Sequence, residues 1–134
     1  SGQLSDKSIA WTSKETRDLT SDVPTPAFAD GDFFILSDVR KSLSRVDPKT
    51  GKAKWTMRTP GTFKYEASPL VGDGKVYIVN FVGDVIVVNA EDGKIISENW
   101  MDKPADDPVR SGIMASQGQL FIRVNQKLFC IGKK

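Results

Sequence analysis

Thr25-Pro26-Ala27-Phe28-Ala29-Asp30-Gly31, Ser68-Pro69-Leu70-Val71-Gly72-Asp73-Gly74 and Ser111-Gly112-Ile113-Met114-Ala115-Ser116-Gln117-Gly118 start 43 residues apart both times. A self-similar period in this range marks a repeat architecture, and the period decides the fold before any single element does. Three residues past each turn glycine stands an aromatic, Phe34, Tyr77 and Phe121, inside a short apolar run. A third strand is predicted in each unit at 43–46, 85–88 and 128–131. The first two of these lead into matching turns, Asp47-Pro48-Lys49-Thr50-Gly51-Lys52 and Asn89-Ala90-Glu91-Asp92-Gly93-Lys94. Asp or Asn opens such a corner by accepting from its own backbone, and Gly31, Gly51, Gly74 and Gly93 supply the positive φ the corners need. Runs of four to six apolar residues between such turns suit strands covered on both faces.

Strand assignment then gives unit 25–57 (A at 25–29, B at 32–37, C at 42–46, D at 53–57). Unit 68–100 follows (A at 68–72, B at 75–80, C at 84–89, D at 95–100), then a partial unit 111–132 (A at 111–116, B at 119–124, C at 127–132). One more D strand is expected at 8–12, ending near Trp11. The chain is thus all-β, a single partial β-propeller of about three four-stranded antiparallel blades, an incomplete ring. The lone D strand and the lone ABC set complement each other, so self-association through the terminal strands is expected, leaving no open edge.

Bulk properties exclude more than they assign. The 134 residues carry 19 Lys and Arg against 17 Asp and Glu, and the net charge of +2 gives no ground for a nucleic-acid partner. Histidine is absent, which removes the commonest general base and metal ligand. No apolar stretch is long enough to span a bilayer, so no membrane insertion by this segment is expected. The single cysteine, Cys130, has no partner for a disulfide or zinc site and sits in an apolar run, which predicts a buried strand thiol. The start Ser1-Gly2-Gln3 reads as a cut point rather than a natural first residue.

The string Asp47-Pro48-Lys49-Thr50-Gly51-Lys52-Ala53-Lys54-Trp55, with Ala67-Ser68-Pro69-Leu70-Val71-Gly72-Asp73-Gly74-Lys75-Val76-Tyr77, resembles the PQQ-like repeat of bacterial quinoprotein propellers. That family holds both PQQ-dependent alcohol dehydrogenases and the non-enzymatic, BamB-like outer-membrane assembly lipoproteins. The resemblance covers about 25–134 and implies the C-terminal blades of an exported bacterial protein, hence a periplasmic or extracellular location. It also implies that the tryptophan four residues after the turn glycine docks between blades: Trp55 fits after Gly51, and Trp11 fits one repeat earlier. Trp100 departs, falling seven residues after Gly93, with Ser97 in the expected place.

In such a blade the D–A and B–C connections gather at one end, which receives the long loops 13–24, 57–67 and 101–110. Binding residues concentrate on long loops held by a rigid scaffold. The candidate partner or ligand surface is therefore Phe63, Lys64, Tyr65 and Glu66, with Arg40, Lys41 and Arg110. Asp102, Asp106 and Asp107 offer oxygen ligands for calcium in principle, but Pro104 and Pro108 make this an ordinary polar loop. One cysteine cannot supply the adjacent pair found near the quinone in the dehydrogenases. No catalytic residue, PQQ site or calcium site is expected. The reading is a non-catalytic binding or scaffold module for a protein or peptide. The alternatives are the C-terminal part of a PQQ-dependent dehydrogenase, or an extracellular carbohydrate-binding module stacking sugars on Phe63 and Tyr65.

Overall fold

A computed structural model describes residues 2, 5–13, 16–101 and 106–132. Two short 3-10 helices, Asp6–Ser8 and Arg17–Leu19, precede eleven strands. Four form the first sheet: β1 (Ala27–Ala29), β2 (Asp32–Ser37), β3 (Ser42–Val46) and β4 (Ala53–Arg58). The second holds β5 (Leu70–Gly72), β6 (Lys75–Val79), β7 (Asp84–Asn89) and β8 (Ile95–Trp100). The third holds β9 (Met114–Ser116), β10 (Gln119–Val124) and β11 (Lys127–Ile131). Every pairing is antiparallel between sequence neighbours, the up-and-down order of propeller blades.

The hairpin chemistry explains the regular spacing. Each A–B turn places two residues at positive φ, Asp30-Gly31, Asp73-Gly74 and Gln117-Gly118, as two-residue turns matched to strand twist require. In the C–D turns, Asp47 Oδ1 accepts from Lys49 N at 2.7 Å, and Asn89 Oδ1 accepts from Glu91 N at 2.8 Å. Strand A is shorter than expected in all three blades, beginning at Ala27, Leu70 and Met114, because the proline- and glycine-bearing stretches before them carry no ladder.

Blades pack face to face through their two-sided apolar strands. Phe34, Leu36 and Leu43 of the first sheet meet Val76, Ile78, Ile86 and Val88 of the second. Val79 and Val85 of the second blade meet Ile122 and Val124 of the third. Trp55 reaches from β4 to the C–D turn of the second blade, where its indole Nε1 donates to Ala90 O at 3.1 Å. Trp11 makes the equivalent bond to Pro48 O at 2.8 Å. Both turns need glycine for a second reason besides φ. A Cβ on Gly51 would lie 2.5 Å from the Trp11 ring, and one on Gly93 would lie 2.8 Å from the Trp55 ring.

Two expectations are corrected here. Residues 8–12 form no strand: Ser8 ends the first 3-10 helix, and 9–12 carry no ladder. A D strand exists only beside a C strand, and none of the described sheets offers one at that position. Trp11 nevertheless occupies the wedge seat. Cys130 is exposed, not buried, because it lies on the face of β11 turned away from the second blade.

Candidate functional site

At the loop end, each D–A connection is stitched to the B–C turn of the blade that follows it. In the first blade the buried Ser37 hydroxyl donates to Thr20 O, and Ser42 Oγ donates to Asp18 O at 3.1 Å. Asp38 Oδ1 accepts from Asp22 N at 2.9 Å. In the second blade Phe81 N donates to Lys64 O and receives Val109 N on its own carbonyl, both at 2.9 Å. In the third, Asn125 Oδ1 accepts from Asp106 N at 2.8 Å. Bonds of this kind fix loops that otherwise have no ladder, so the end of the stack is a preformed surface.

The anticipated residues divide into three groups. Phe63 is 49% exposed and Lys64 is exposed, so these side chains stand on the surface. Arg40 is exposed as well, its carbonyl accepting from the Arg58 guanidinium at 2.5 Å. Lys41, at φ 52°, swings its ammonium to Thr62 O at 2.6 Å and thereby sits against the Phe63 loop. Glu66 and Arg110 instead engage each other at 2.9 Å, with the guanidinium 5.5 Å above the Phe81 ring. That pair clasps two consecutive loops. Tyr65 requires a correction: it is 1% exposed, packed in the core between the first two blades, and its hydroxyl donates to Pro60 O at 3.0 Å. It offers no stacking surface.

Between these loops and the second blade lies a recess of about 240 Å³ lined by Pro60, Gly61, Thr62, Phe63, Tyr65, Asn80, Asp84, Ile86 and Glu98. Its acidic wall escaped the sequence reading. Glu98 pairs across the sheet with Ile86, and Trp100 with Asp84, so all four side chains share one face. The signal was Trp100 itself, three residues from the wedge position occupied by Ser97, since an odd offset in a strand reverses the face. Trp100 is 75% exposed. Asp84 Oδ2 accepts from Asn80 Nδ2 at 2.9 Å, which fixes the carboxylate at the mouth of the β6–β7 turn. Burial pushes the Tyr65 phenol up to about 12, and the nearby Asp84 and Glu98 charges add to the shift while Asn80 opposes it.

Cys130 stands on the outer face of β11, and no group of three or more metal-ligating side chains occurs among the described residues, from which Asp102 is excluded. No helix among them is long and apolar enough to cross a membrane.

Known proteins agree with this architecture. A family model described as outer membrane protein assembly factor BamB matches residues 4–122. No curated protein sequence matches the chain. Among solved structures, quinohemoprotein alcohol dehydrogenase from Comamonas testosteroni is 19% identical over 78% of this chain and 17% of its own, with a TM-score of 0.62. The quinohemoprotein alcohol dehydrogenase ADHIIG from Pseudomonas putida HK5 is 18% identical over 78% and 17%, at 0.59. A europium-containing methanol dehydrogenase is 21% identical over 63% and 16%, at 0.52. The chain thus spans about a sixth of the length of these enzymes, whose likeness is one of fold. With a family match across almost the whole sequence and three sheets in propeller order, the chain belongs to the PQQ-like β-propeller repeat family of outer membrane protein assembly factor BamB.

Proposed function

We propose that this chain is a non-catalytic binding module whose loop end docks a protein or peptide partner, in the periplasm or outside the cell. The observation that carries the reading is the stitched loop end. Asp22 on Asp38, Lys64 and Val109 on Phe81, and Asp106 on Asn125 hold three consecutive loops in place, while Phe63, Lys64, Arg40 and Trp100 remain exposed. A rigid surface bearing isolated aromatics beside charges favours a protein partner, because little ordering entropy is lost on docking. The opposite end consists of tight turns such as Asp73-Gly74, beside the wider cleft of about 490 Å³ between the second and third blades that Asp73 and Gly118 help to line. Family membership supports the location and the kind of partner.

Photo-crosslinking distinguishes the two ends. A benzoyl-phenylalanine at position 63 is expected to capture a partner from a periplasmic extract, whereas the same group at position 73 is not. Equal capture from both positions, or capture only from 73, overturns the assignment.

A further inference from the structure

The recess between the first two blades has a composition that selects its occupant. Its 240 Å³ falls below the ~300 Å³ at which pockets begin to enclose whole small ligands, so it fits one long side chain. Asp84 and Glu98 supply two carboxylates, and Glu98 has no ion-pair partner among the described residues. Lys41 donates to Thr62 O on the rim. Phe63 forms one side of the opening, and Trp100 stands on the sheet face beside Asp84. The floor is apolar, made by Ile86 and the ring of Tyr65.

We propose that this recess receives an arginine side chain from an extended segment of the partner protein. This deepens the loop-end reading and rests on it. A guanidinium meets all the features at once: its planar faces stack on exposed aromatics, its fork matches a carboxylate, and its methylene stem covers the apolar floor. A neutral side chain would gain no charge complementarity with Glu98 and Asp84, and an anionic one would be repelled by them.

The test titrates the isotope-labelled chain with the capped peptide Gly-Gly-Arg-Gly-Gly and with the same peptide carrying citrulline, which keeps the shape and removes the charge. The arginine peptide is expected to shift the amide signals of Thr62, Phe63, Glu98 and Trp100 in saturable fashion, and citrulline to bind about tenfold more weakly or worse. Glu98 is exposed, so Glu98→Gln leaves the fold intact and should weaken the arginine peptide by a similar factor. Equal binding of both peptides, indifference to Glu98→Gln, or shifts confined to other sites overturn the proposal. Crosslinking from position 63 without arginine selectivity would remove this inference and leave the loop-end function standing.

Discussion

Asp32 opens β2, and its carboxylate accepts from Arg45 Nε at 2.6 Å and Lys54 Nζ at 2.7 Å. The Arg45 guanidinium continues to Ala90 O at 3.1 Å and lies 5.6 Å over the Phe34 ring, so one buried carboxylate orients the cation that ties the first blade to the turn of the second. The Lys54 bond holds the Asp32 carboxyl below the usual aspartate range; burial opposes the shift, and Arg45 reinforces it. A depressed folded-state value means the contribution is complete above the unfolded value near ~3.9 and disappears as pH falls through it toward the lower folded one. Denaturant melts should therefore weaken as pH drops below ~4. Asp32→Asn should cost about 2 kcal/mol at neutral pH, because Arg45 keeps its charge and loses its counter-ion. The variant should also lose part of the acid sensitivity. Identical stabilities at pH 7, or an unchanged acid slope, would remove Asp32 from this role.

Elements in successive blades are superposable rows, which makes one departure legible as an energetic defect. Across the first sheet the row facing the second blade is Ala27, Phe34, Arg45 and Trp55; across the second sheet the row facing the third blade is Leu70, Tyr77, Val87 and Ser97. Where the indole of Trp55 fills the first gap, the second gap holds a cavity of about 490 Å³ lined by Leu70, Tyr77, Leu120 and Ile131 among others. Trp55→Ala should cost roughly 3–5 kcal/mol, while Ser97→Trp should add about 1 kcal/mol by filling the gap. Opposite signs in urea titrations are the expected outcome, and a destabilising Ser97→Trp would mean that the two gaps differ in shape. The repeat made this comparison possible from sequence, because hairpin chemistry at Gly31, Gly51, Gly74 and Gly93 pins strand positions to within a few residues. Tyr65 was not legible in the same way: a loop has no periodicity to say which of four consecutive side chains turns inward. Nor was the exposure of Cys130, since an apolar strand is buried on both faces only when a sheet lies on each side. Glu98 and Trp100 became a site through cross-strand register with Ile86 and Asp84, a relation the linear sequence does not display.

The whole molecule is a stack with two unlike ends. On the outer face of the first sheet, Leu19 covers Phe33, Ile35 and Val46, while Trp11 seats on the Gly51 turn as Trp55 seats on Gly93. At the other end Met114, Leu128 and Cys130 are exposed, and the outer edge of β11 carries no partner strand among the described residues. An unpaired edge beside exposed apolar side chains favours strand addition. The register of that addition follows from the rows. Cys130 faces Phe121 as Arg45 faces Phe34, and Arg45 faces Trp55; residues 8–12 of a second copy lying along β11 would therefore bring Trp11 opposite Cys130. The segment that has no ladder in one chain would gain one, and the three-stranded sheet would become a full blade. Sedimentation at micromolar concentration should accordingly reveal dimers or larger closed assemblies, and the Cys130 thiol should become protected from alkylation as concentration rises. Directly opposed residues in an antiparallel pair stand about 5 Å apart at Cα, within disulfide reach, so Trp11→Cys should cross-link to Cys130 between chains under mild oxidation. A monomer whose thiol reacts at one rate across the whole concentration range would show that the terminal elements do not meet, and the binding surface would then have to work on an open stack.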